Sequence, residues 1–70
     1  MKHRPSTYVL NQLANEVPGG VELADEARKA PQILRVTDTQ LKFMKKLDLI
    51  DYHGSLMTLS MSSIIVELTK

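Results

Sequence analysis

Apolar residues recur along this chain with two different periods, and the change between them divides it. Leu10, Leu13, Ala14 and Val17 fall at i, i+3, i+4 and i+7, one buried stripe of a helix that Ser6 or Thr7 can cap. Pro18-Gly19-Gly20 stops it, because the residue before a proline is pushed out of helical geometry and glycines supply the turn. A second helix is expected over residues 21–30, with a narrow stripe of Leu23, Ala24, Ala27 and Ala30 whose small side chains let another helix pack closely. Glu22, Asp25 and Glu26 crowd its start while Arg28 and Lys29 lie near its end, as the helix dipole favours. Pro31 ends it. Gln32-Ile33-Leu34-Arg35 reads as a connection, irregular or one helical turn, with Ile33, Leu34 and Val36 apolar enough to tuck under both helices.

The third helix, residues 37–47, is the most strongly marked. Thr37 followed by Gln40 three residues later fits a helix start in which each side chain satisfies an unpaired backbone N–H. At about 100° per residue, Leu41, Phe43, Met44 and Leu47 share one side, and Lys42, Lys45 and Lys46 take the other with Asp38 and Thr39. After Leu47 the period shortens. Leu49-Ile50-Asp51-Tyr52 has strand character, His53-Gly54 offers a turn, and residues 55–60 form the returning strand. Residues 64–69 read as a third strand with Ile64, Val66 and Leu68 on one face, or as a short helix capped by Ser62. The expected architecture is α+β: three helices followed by a small antiparallel hairpin or three-stranded sheet, in one domain over residues 1–70. Residues 1–5 are expected to be a flexible basic lead-in.

Seventy residues make a thin core, so a fold of this size is marginal alone or leans on a partner or a second copy. Apolar residues at 43% and charged residues at 24% are ordinary for a globular domain and argue against disorder. The absence of cysteine excludes disulfides and thiolate metal sites. With no apolar run long enough to span a bilayer and no apolar segment after the basic start, a soluble cytoplasmic domain without a membrane partner is expected.

The net charge of +1 hides segregation: Glu16, Glu22, Asp25 and Glu26 form an acidic stretch, and then Arg28, Lys29, Arg35, Lys42, Lys45 and Lys46 stand against Asp38 alone. Such a separation produces a one-sided field able to steer an anionic partner. Against it stands the bland reading that lysines on a surface helix are simply solvated.

The basic third helix running on through Phe43 to Tyr52, with Leu47 and Leu49-Ile50 as apolar anchors and His53-Gly54-Ser55 as a tip, resembles the winged helix-turn-helix family. So does Leu23-Ala24-Asp25-Glu26 at the start of the second helix. The resemblance covers about residues 21–60. Two departures are visible: Asp48 stands where that family has a glycine, and the connection from Ala30 to Val36 is longer than a tight helix-turn-helix turn. The resemblance implies a DNA-binding transcriptional regulator that inserts residues 37–47 in the major groove of double-stranded DNA and flanks it with a wing over residues 50–59. The DNA-binding residues it implies are Thr37, Thr39, Gln40 and Lys42 toward the bases, with Gln40 suited to adenine or else already occupied by the cap, and Thr39 and Lys42 best placed. Arg35, Lys45 and Lys46 would hold phosphates, and His53 would touch backbone or be only an exposed turn residue.

Catalytic and metal sites are not expected. His3 and His53 lie in a lead-in and a turn without metal-ligand spacing, the hydroxyls lack a base partner, and no phosphate-binding glycine loop or cofactor motif is present. The rival to DNA binding is a small protein-binding regulator docking on a larger machine such as RNA polymerase. The apolar stretch Ile64-Ile65-Val66 could add to a partner's sheet or pair with its own copy. A homodimer through that strand or the first helix would reconcile both readings.

Overall fold

A computed structural model describes residues 5–69; residues 1–4, with His3 and most of the expected lead-in, and residue 70 lie outside the described residues. Pro5, counted in that lead-in, is buried. The elements run α1 (Thr7–Glu16), α2 (Gly20–Arg28), β1 (Ile33–Val36), α3 (Asp38–Lys46), β2 (Ile50–His53), β3 (Leu56–Leu59) and β4 (Ile65–Leu68). The class is α+β, as expected. Among the described residues there are four strands where three were expected, and they form one mixed sheet in the order β1-β4-β3-β2.

The extra strand is the connection before α3. Its alternation, Leu34 and Val36 in the core with Ile33 and Arg35 outside, is the two-residue period of a strand. It pairs in parallel with β4, Ile33 opposite Ile65 through Val36 opposite Leu68. Within residues 64–69 the chain forms a strand over Ile65–Leu68 and no helix, and Leu68, expected beside Ile64 and Val66, is exposed. Because β4 lies between β1 and β3, it offers no free edge. Addition of a partner strand along Ile64-Ile65-Val66 is thereby corrected: Ile64 and Val66 face the core, and the open edges belong to β1 and β2.

Ser6 caps α1, accepting a hydrogen bond from the Val9 N–H at 3.2 Å. The turn Val17-Pro18-Gly19 then sends the chain into α2, whose first residue meets α1 so closely that a Cβ on Gly20 would lie 1.6 Å from the Leu13 carbonyl oxygen. Val9, Leu13 and Val17 of this hairpin join Leu23, Ala24 and Ala27 in a single core with Leu34, Val36, Leu41, Met44, Leu49, Ile50, Leu59, Ile64 and Val66. No helix among the described residues is long and apolar enough to cross a membrane.

Candidate nucleic-acid interface

α3 is fixed at both ends. At its start the Thr37 hydroxyl accepts from the Gln40 N–H at 3.1 Å, and the Gln40 side-chain oxygen accepts from the Thr37 N–H at 2.9 Å. This reciprocal capping box is the one the sequence suggests. The Gln40 amide also donates to the Pro18 carbonyl at 2.9 Å, tying the start of α3 to the α1–α2 turn. At the other end Asp48 takes the left-handed conformation with φ 61. The Leu49 N–H reaches back to Met44 O at 2.8 Å and the Asp48 N–H to Lys45 O at 3.1 Å, the two bonds of a Schellman motif. Leu49 and Met44, both buried, supply its usual apolar contact. Asp48 thus takes the place of the glycine the sequence lacks.

With Leu41 and Met44 buried and Gln40 and Leu47 half-buried, the outward face of α3 carries Asp38, Thr39, Lys42, Phe43, Lys45 and Lys46. Phe43, expected on the inner side, is instead exposed. It comes one residue before buried Met44, and one residue is about 100° of helix. That spacing could have shown it at the flank. Asp38 opens the helix and Lys45 and Lys46 close it, each sign at the pole of the dipole that it stabilises.

Thr39, Lys42, Lys45 and Lys46 come together on one exposed face, and the other expected site residues do not join them. The Thr37 hydroxyl accepts within the cap and the Gln40 side chain is engaged by the cap and by Pro18, so of the two roles expected of Gln40 the cap is the one formed, and Gln40 acts as a latch. Arg35 alternates with buried Leu34 and Val36, so it projects from the sheet face opposite the core, 3.6 Å from Glu67 across the strand pair. His53 closes β2 on that same outer face, opposite Leu56, and its Nε2 lies 3.1 Å from the Thr58 hydroxyl. The tip itself is Gly54-Ser55, with Gly54 at φ 64 as a two-residue hairpin turn of this sense requires.

Four of the six bases in the cationic stretch have acidic neighbours. Arg28 pairs with Asp25 at 2.9 Å, Lys29 with Glu26 at 3.3 Å and Lys42 with Asp38 at 3.3 Å, in addition to Arg35 with Glu67. Among the described residues no acid lies within ion-pair distance of Lys45 or Lys46. Folding therefore shrinks the cationic stretch to the last turn of α3. The four pairs are all well exposed, and such pairs hold by less than about 1 kcal/mol each. Lys42 can leave Asp38 for another partner at little cost. Among the described residues no three acids or histidines come together to hold a metal ion. Tyr52, 60% exposed near the hairpin tip, is a further surface aromatic; in the sequence it is marked only as part of a strand.

Comparison with family models, curated proteins and solved structures finds no match for this chain.

Proposed function

We propose that this protein is a small DNA-binding regulator of the winged-helix kind, laying α3 in the major groove with the β2–β3 hairpin as its wing. The observation that carries the reading is the outward face of α3, where Thr39, Lys42, Lys45 and Lys46 stand exposed on a helix capped at both ends. A helix with its side chains is about 10–12 Å across and the major groove is about 12 Å wide, so α3 can lie in it. Lys45 and Lys46 bind phosphates and set affinity; Thr39 and Lys42 face base edges.

Strand β1 lies between α2 and α3, and the only short helix-to-helix turn among the described residues joins α1 to α2. The second helix of that pair carries Glu22, Asp25 and Glu26 on its exposed side, which repels phosphate. In this reading α3 is presented by β1 and the Gln40 latch, and not by a helix-turn-helix corner.

The test is a titration of mixed-sequence duplex DNA at low salt, followed by NMR and by anisotropy. Shifts confined to residues 37–46 and 53–55 are expected. Replacing Lys45 and Lys46 together by alanine should leave the spectrum folded, weaken binding, and lower the slope of log affinity against log salt by about 2, since each phosphate contact contributes about 0.9. No binding by the unaltered protein at low salt would sink the reading.

A second reading, docking on a protein partner, is favoured by the exposed Tyr8, Val21, Tyr52 and Met61 and by the paired state of most cations. It predicts shifts on those residues with a protein ligand and none with duplex.

A further inference from the structure

Phe43 is the one apolar side chain of α3 that folding leaves outside. The residue is 39% exposed and belongs neither to the core nor to the half-buried residues packed around it. Thr39 lies one turn before it, Lys46 nearly one turn after it, and Lys42 beside it, all exposed. The ring stands beside cations and a hydroxyl on the one face that the proposed function turns toward DNA. The cations draw in a polyanion; the ring needs an apolar group on that polyanion.

The major groove of DNA offers one apolar group, the 5-methyl of thymine. RNA lacks it, and the A-form major groove is too deep and narrow for side chains to read. Thr39 and Phe43 are four residues apart, about 6 Å along the helix axis, which corresponds to about two base steps. A hydroxyl and a ring at that spacing can read two nearby A·T pairs, the hydroxyl at a base edge and the ring at a methyl.

Resting on the DNA reading above, we propose that Phe43 determines specificity, packing its ring on a thymine 5-methyl group while Thr39 bonds to a neighbouring base edge. The protein then recognises A·T-containing duplex and distinguishes thymine from uracil. Lys45 and Lys46 contribute affinity without affecting that choice.

The experiment compares binding to two alternating copolymer duplexes, poly(dA-dT) and poly(dA-dU), at low salt. The two differ by the methyl groups alone. The unaltered protein should favour the thymine duplex by about fourfold, the value of burying one such carbon. Phe43→Ala, which removes a ring outside the core and should retain the far-UV circular dichroism of the parent, should bind both equally. Replacing Lys45 and Lys46 by alanine should weaken both and keep their ratio. Equal binding by the unaltered protein, or a preference that survives in Phe43→Ala, overturns the assignment of Phe43 and leaves DNA binding standing. Failure to bind either duplex overturns DNA binding and this assignment with it.

Discussion

Among the described residues three other than glycine hold the left-handed backbone conformation: Ala30 at φ 51, Asp48 at φ 61 and Met61 at φ 57. Each sits where the chain must change direction, after α2, after α3 and after β3. Their restraints differ. Ala30 bonds its N–H to Ala27 O, but Pro31 after it has no N–H to complete the motif. Met61 is held by its N–H donating to Asp51 at 2.9 Å. Asp48 has the complete motif, and its side chain is exposed, so nothing in the core opposes its replacement. Asp48→Gly should therefore stabilise the fold by about 1 kcal/mol, the cost of a Cβ in this conformation. In a domain of this size that is a rise of about 4–8 °C in the melting midpoint, and an unchanged or lower midpoint would contradict the account. The sequence shows the demand at Asp48, because an apolar residue on each side brackets a single position that must turn the chain. Met61 gives no such sign, since its conformation is imposed by a carboxylate ten residues earlier.

At the scale of elements, α3 matters most for how it is held. The Gln40 side chain has two jobs, closing the capping box with its oxygen and gripping the α1–α2 turn with its nitrogen. Gln40→Ala loses both and should cost about 1–2 kcal/mol in urea unfolding. Gln40→Glu keeps an acceptor for the Thr37 N–H but turns a carboxylate oxygen on the Pro18 carbonyl, so it should lose the grip and retain the cap. Equal stability of the glutamate variant and the parent would show that the Pro18 bond contributes nothing. On the DNA reading, either change should weaken binding to all sequences alike, since it misplaces the helix without removing a base contact. The cap is legible in the sequence because Thr37 and Gln40 are three residues apart. The bond to Pro18 is not, because it joins residues 22 apart with no local pattern to betray it. Strand β1 is half legible: the alternation from Ile33 to Val36 is present, but four residues between a proline and a helix cap read equally well as a link. What makes them a strand is Ile65 to Leu68, about thirty positions away.

For the molecule as a whole, the charge pattern along the chain and the charge pattern in space are different objects. The acidic and basic stretches meet at the end of α2, where Asp25 and Glu26 take up Arg28 and Lys29, and β4 brings Glu67 to Arg35. Composition and spacing disclose the segregation but not this neutralisation, which depends on helix phase and strand register. Glu67→Gln removes one exposed pair on the outer sheet face and should change stability by no more than about 0.5 kcal/mol; a loss several times larger in chemical unfolding would mean that Arg35 anchors β1. A dimer paired edge to edge through β4 is excluded by the strand order, whereas α1, with Tyr8 exposed, still has a free surface.

The strand order also governs how the molecule can assemble in time. β4 comes after every other described element along the chain and yet is an interior strand of the sheet, wedged between the first strand and the hairpin. Until it arrives, β1 has no neighbour and β3 keeps one raw side, so the sheet cannot close before residues 65–68 are in place. Closing that long loop is slow relative to forming the helices. The sheet should thus close in a nearly all-at-once event once β4 docks, and chains in which β4 has not docked are prone to stick to one another.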